Sequence, residues 1–201
     1  MKVSAGVFLV VVSLSLAMPN VSNARGMAGR ELAETVARGG RTLKLDGVGL
    51  REKFLFDIYV LGAYTESGSC DPARMVGDDE AKLLRMEFVR NVPAGRLQSE
   101  VRKMVSTRVP KAASDKDRLQ SETFILMYNF DVTSETIVEM LYVPGTGTIV
   151  TRNGESMGPV LPGKPFQEVL WSTYVGSDPC SPSTKKQILE SCRSRPGVVA
   201  P

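Results

Sequence analysis

The sequence predicts an α+β domain in which a large antiparallel sheet carries a layer of helices on one face. Two observations carry this. Strand-like runs arrive as hairpins, and helix-spaced apolar residues cluster late in the chain. A third sets the scale: 201 residues with no internal repeat and no long linker suit one domain with a substantial core.

In order, residues 1–24 read as a targeting segment. Lys2 is its basic head, Ala5 to Ala17 its short apolar run, and Ser22-Asn23-Ala24 a small-residue cleavage site. The run is too short for a permanent membrane anchor. The expected mature protein is therefore periplasmic or secreted, a domain over 25–193 followed by a flexible tail over 194–201. A short helix is expected around Gly29 to Ala37. Arg41 to Leu45 and Val48 to Thr65 then form a hairpin about Asp46-Gly47, a tight-turn dipeptide. From Phe54 the second strand is apolar on both faces, as in a central strand covered on both sides. Glu66 to Asp79 is loop, and Ala81 to Arg90 alternates as a strand.

Beyond Pro93, the residues Leu97, Val101, Met104, Val105 and Val109 recur at helical spacing up to Pro110. Ser114 caps a second helix, with Asp115 and Asp117 in its first turn and an apolar stripe of Leu119, Leu126, Met127 and Phe130. Thr136 to Val143 and Thr148 to Arg152 make a hairpin about Pro144 to Gly147, and Asn153-Gly154 is a further turn. Pro165 opens a third helix, ended by Gly176, with Phe166, Val169, Leu170 and Thr173 inward. Ser181 to Cys192 is a last short helix.

Composition excludes several chemistries. The chain has no histidine, which removes Ser-His-Asp triads, Cys-His pairs and His-ligated metals. The cysteine spacings match no zinc pattern, and nothing implies a cofactor. The net charge is +3, or +2 once Lys2 is cleaved away, with no basic stripe, so nucleic acid is not an expected partner. Cys70, Cys180 and Cys192 form an odd set, leaving at least one free thiol if pairing is internal; Cys180 and Cys192 flank a short helix and can pair. The glycines of 47–49 and 145–147 open no helix and so are not phosphate cradles. Oligomeric state is left open.

Gly47-Val48-Gly49-Leu50-Arg51 puts one guanidinium at the mouth of an apolar strand, where an anionic, otherwise greasy ligand would find it. This stretch resembles the Gly-x-Gly-x-Arg of the chalcone isomerase superfamily. Phe88-Val89-Arg90-Asn91-Val92 with Gly95 resembles the segment leading into that family's helices. Trp171 to Gly176, then Ser181-Pro182 and Lys185, resembles its late helix. The order of motifs is most similar to exported bacterial members, over about Leu43 to Leu189. The resemblance implies an open-faced sandwich with an apolar cleft between sheet and helices. In the isomerases, the Arg stabilises an oxyanion while a chalcone closes to a flavanone. Other members bind fatty acids without catalysis, through the Arg and a Tyr on the following strand.

Carried over, the resemblance implies that Arg51, Tyr59 and Thr173 contact a small amphipathic or carboxylate ligand, with Arg51 catalytic only if the chain is an isomerase. The isomerases' helical Tyr and Asn are not both kept; Glu100 and Thr107 stand in those places. This favours binding over intramolecular lyase chemistry. A third reading is an interaction protein whose own side chains fill the cleft. A second alignment puts Arg41 on the family's Arg. The residues also admit plainer roles: Arg51 paired with Glu52 or Asp57, Tyr59 an ordinary buried aromatic, Thr173 bonded back to the Val169 carbonyl, and Arg90 tying strand end to helix start. Arg51 and Tyr59 are eight residues apart, ~26 Å along a straight strand, so they share a ligand only if the chain bends near Gly49 to Lys53.

Overall fold

The computed structural model describes residues 24–110 and 112–195. The expected leader and cleavage site, except Ala24, and most of the expected tail lie outside them. The chain opens with a small hairpin, β1 (Ala24–Met27) and β2 (Arg30–Ala33). A seven-stranded sheet follows in sequence order: β3 (Thr35–Arg38), β4 (Arg41–Lys53), β5 (Phe56–Thr65), β6 (Lys82–Phe88), β7 (Ile137–Val143), β8 (Gly147–Arg152) and β9 (Glu155–Ser156). Every pairing is antiparallel. The short helix α1 (Pro72–Gly77) joins β5 to β6, and α2 (Ala94–Ser106) and α3 (Asp115–Leu126) join β6 to β7. Helices α4 (Lys164–Val175) and α5 (Pro182–Arg193) complete the chain. This is the expected α+β class.

The central position of β5 follows from its apolar residues on both faces. Tyr59, Leu61 and Ala63 pack under the helices; Val60 and Tyr64 pack on the other side, with Leu32 of the β1–β2 hairpin over them. The second half of the chain folds as its signals suggest. Ser114 and Asp117 close a reciprocal capping box at α3, Pro144 to Thr146 turns β7 into β8, and Gly176 ends α4.

The first half departs from expectation. The expected Gly29–Ala37 helix is replaced by β2 and the start of β3, because Ala28 and Gly29, both at positive φ, turn the chain and fold β2 back onto β1. Asp46-Gly47 is no turn: β4 runs straight through it, with Asp46 bulged between the pairs Leu45–Tyr64 and Gly47–Ala63. The reversal comes at Phe54-Leu55, whose φ values of 51° and 66° give the type I′ pattern without its usual Asn-Gly. The Glu66–Asp79 loop contains α1, started by the Asp71 side chain. The α3 stripe is displaced as well. Phe124, Ile125 and Tyr128 are buried, and Leu119 and Leu126 face solvent.

Gly47 and Gly49 serve a different purpose from a turn: α5 lies directly against β4 there. A Cβ on Gly47 would fall 2.0 Å from the Ile188 carbonyl oxygen, and one on Gly49 2.5 Å from that of Thr184. Past the end of β3, α5 side chains complete the hydrogen bonds of β4. The Leu50 N–H donates to Gln187 Oε1 (2.6 Å), and Thr184 Oγ1 donates to the Leu50 carbonyl (2.8 Å).

A disulfide joins Cys70, before α1, to Cys192 at the end of α5, with Cα atoms 5.6 Å apart. This corrects the Cys180–Cys192 pairing; Cys180 is a free thiol. Arg195 is held beside the disulfide, its guanidinium donating to the carbonyls of Gly68 (2.6 Å) and Leu45 (3.1 Å), so ordered structure continues past Arg193.

Asp46 is buried at this junction. It accepts from Thr65 Oγ1 (3.2 Å) and lies 4.0 Å from the Arg195 guanidinium, while its second oxygen finds no partner among the described residues. Burial pushes its carboxyl from 3.8 up to about 8. The folded protein thus holds a proton that the unfolded chain releases. This group's contribution to stability is whole below pH 3.8 and is lost as pH rises through about 8. The slope between those values reaches at most about 1.4 kcal/mol per pH unit. Urea unfolding across this range should show Asp46→Asn gaining on the wild type as pH rises. A difference independent of pH would refute the protonated Asp46.

Candidate functional site

A cleft of about 490 Å³ lies between the helix-facing side of β5 and β6 and the helices α2, α3 and α4. That is within the range of small-molecule sites. Its walls are apolar: Met86 and Phe88 from β6, Leu97 and Val101 from α2, Phe124 from α3. These side chains come from one strand and two helices whose apolar faces converge on this layer, so the cleft runs from the core to a charged mouth at the end of the β4–β5 hairpin.

The reversal at Phe54-Leu55 settles how Arg51 and Tyr59 can act together. It makes them direct cross-strand partners, and the register shift after Arg51 leaves Ile58 as an extra residue in β5. Ile58 and Tyr59 consequently both line the cleft. Arg51 donates to the Glu52 carbonyl (2.8 Å) and, among the described residues, forms no ion pair, so neither Glu52 nor Asp57 neutralises it. Lys53 beside it is paired with Glu100.

Tyr59 is buried, stacked edge-on against Phe88 with ring centroids 5.3 Å apart. Its hydroxyl lies near Arg51, Tyr174 and Cys180 but closes no full hydrogen bond. Tyr128 presents another buried, unpartnered hydroxyl to the same cleft. Burial raises all three phenols, Tyr59, Tyr128 and Tyr174, well above their ordinary range, so each stays a neutral hydrogen-bond donor. A guanidinium and three phenols on apolar walls form a donor-rich, acceptor-poor end. Buried hydroxyls without partners normally point to a missing one.

Thr173 is not part of this site. It is fully buried, its Oγ1 donates to the Val169 carbonyl (2.9 Å), and it does not line the cleft; the neighbouring Tyr174 does. On a helix, adjacent residues face directions about 100° apart, so one position decides which side chain reaches the ligand space. Arg41 is also excluded. It sits at the far end of β4, ten residues or ~33 Å from Arg51, paired with Glu66. Arg90 lines the mouth, its guanidinium 4.3 Å from the Phe56 ring centroid, instead of tying strand to helix. Thr107 is bonded to the α2 carbonyls of Lys103 and Met104, and Glu100 is held by Lys53, so α2 supplies no free hydroxyl or amide to the cleft at those positions.

Tyr128 and Tyr174 were hidden in the sequence. Each sits among apolar residues of a helical segment and reads as core, and only the convergence of the two segments on the cleft sets both hydroxyls at the ligand space.

No curated protein sequence matches this chain. The structure is similar to the crystal structure of a fatty-acid binding protein from Arabidopsis thaliana, with a TM-score of 0.67 at 17% identity, over 86% of this chain and 98% of that one. That likeness shows the fold. The chalcone isomerase-like family matches residues 24–190, from the first residue of β1 almost to the end of α5; by that match the chain belongs to the chalcone isomerase-like family.

Proposed function

We propose that the protein binds a small amphipathic anion, a fatty acid or similar carboxylate, with its tail in the apolar cleft and its head at Arg51. One observation carries this reading: an unneutralised guanidinium stands directly across the hairpin from a buried, unpartnered phenol at the edge of an apolar cavity. A carboxylate can accept from both. The fatty-acid binding neighbour of the same fold supports the ligand class. That neither Glu100 nor Thr107 offers the cleft a free hydroxyl or amide supports binding over cyclisation of an enone. Export to the periplasm or medium belongs to the same proposal, supported by the N-terminal pattern and by the Cys70–Cys192 disulfide, a bond characteristic of oxidising compartments.

The test is titration of a fluorescent fatty acid. Arg51→Ala should cost ~2–5 kcal/mol of affinity, because the carboxylate stays buried without its partner. Arg51→Lys should recover only part, since an ammonium lacks the planar two-pronged fork. Melting temperatures should barely move, because Arg51 holds no structural carboxylate. Equal affinities in all three proteins would remove Arg51 from the site.

A further inference from the structure

The β4–β5 hairpin ends in three consecutive apolar side chains that the fold does not use. Phe54, Leu55 and Phe56 are 83%, 98% and 56% exposed, whereas β5 from Tyr59 to Thr65 is buried throughout. Two of them occupy a turn with positive φ at both central residues, where Asn-Gly would cost least. Local structure therefore does not select Phe and Leu here.

The charges around this tip are sorted. Arg51, Lys53, Arg90 and Arg96 face the cleft mouth, and Arg90 lies on the ring of Phe56. Of the nearby carboxylates, Glu100 is taken by Lys53, while Glu52 and Asp57 oppose one another across the hairpin and are absent from the cleft lining. The mouth thus presents an apolar tip with cations behind it, among them Arg51, Arg90 and Arg96, the pairing of groups that a lipid surface with anionic headgroups attracts.

From this we propose that the Phe54–Leu55–Phe56 tip docks the protein reversibly on an anionic phospholipid surface, with the cleft mouth turned to the bilayer. The area argues for a bilayer over a second copy of the chain. Three side chains offer on the order of 400 Å². A stable protein interface needs about 800 Å² per partner. A lipid surface needs no complementary partner: each inserted apolar group and each cation near the headgroups adds to the attraction. The docking stands whether or not the cleft holds a fatty acid, because it rests on the exposed tip and on the cations at the mouth, of which only Arg51 is assigned to the ligand.

The experiment is co-sedimentation of the protein, without added ligand, with vesicles of phosphatidylcholine and of phosphatidylcholine mixed with phosphatidylglycerol. The double variant Phe54→Asn, Leu55→Gly is the comparison, chosen because it gives the turn its preferred residues and so leaves folding intact, as thermal melts will report. The wild type should bind the mixed vesicles at least tenfold more tightly than the double variant, more tightly than it binds phosphatidylcholine alone, and less tightly as salt is raised. Equal binding by the two proteins, or no binding by the wild type at low salt, would overturn the proposal. So would a wild type that is dimeric in solution beside a monomeric double variant, which would assign the tip to a second copy.

Discussion

Gly47→Ala is expected to cost about 3 kcal/mol or more, the upper range for forcing a group into a packed interior. The added Cβ would meet the Ile188 carbonyl at 2.0 Å, and both partners are backbone, so no rotamer change relieves the contact. The strand cannot retreat, because β5 holds β4 on its far edge from Lys44 to Lys53. The helix must lift instead, stretching the Leu50–Gln187 and Thr184–Leu50 hydrogen bonds and exposing Ile188. For a domain of this size, thermal melts should fall by roughly 6–12 °C. Gly95→Ala is the control. It sits in α2 with open space where its Cβ would go, and should be neutral or slightly stabilising. A Gly47→Ala protein that melts with the wild type would show that α5 does not lie where the structure puts it.

The second large effect is reduction of the Cys70–Cys192 bond. It links positions 122 residues apart, and loops of that size give ~2–5 kcal/mol of stabilisation, chiefly by restricting the unfolded chain. Cys70→Ser should lower the melting temperature by roughly 5–15 °C, and reductant should do the same to the wild type. Thiol counting identifies the pairing: denatured, unreduced protein should give one thiol, from Cys180, and reduced protein all three. Three thiols without reductant, and a melting temperature indifferent to it, would rule the bond out.

Much of this was legible in the amino-acid order. From Lys82 onward, alternation, helical spacing, the Ser114 box and the glycine and proline stops place each element within a few residues, because there local preference and tertiary packing agree. Before Lys82 they disagree: the expected Gly29–Ala37 helix is strand, α1 lies in the expected loop, and β4 and β5 reverse elsewhere than expected. Asp46-Gly47 carries a strong turn signal, but a glycine required by a touching helix looks the same in sequence as one required by a turn. The true turn has no signal at all, being made of two residues that disfavour positive φ. The site suffered in proportion. Resemblance proposes Arg51 and Tyr59 as ligand contacts, but their direct pairing across the hairpin depends on that reversal, which the sequence does not signal. Thr173 was chosen where Tyr174 does the facing, and the Cys70 partner of Cys192 is distant in the chain, where spacing carries no information.

The sheet's plain order has a consequence for how the molecule is assembled. Since neighbouring strands of the seven-stranded sheet are consecutive in sequence, the sheet can grow in chain order as the chain is synthesised, its longest wait being for β7 across α2 and α3. The exception is α5, which must find β4 across more than a hundred residues. Until it arrives, β4 shows a bare N–H and C=O edge just past β3, together with a shallow glycine trough, and an edge of that kind recruits strands from other molecules. The last helix is therefore the chain's guard against aggregation as much as a part of its core, and a product truncated before Pro182 should be lost to insolubility rather than survive as a smaller folded domain.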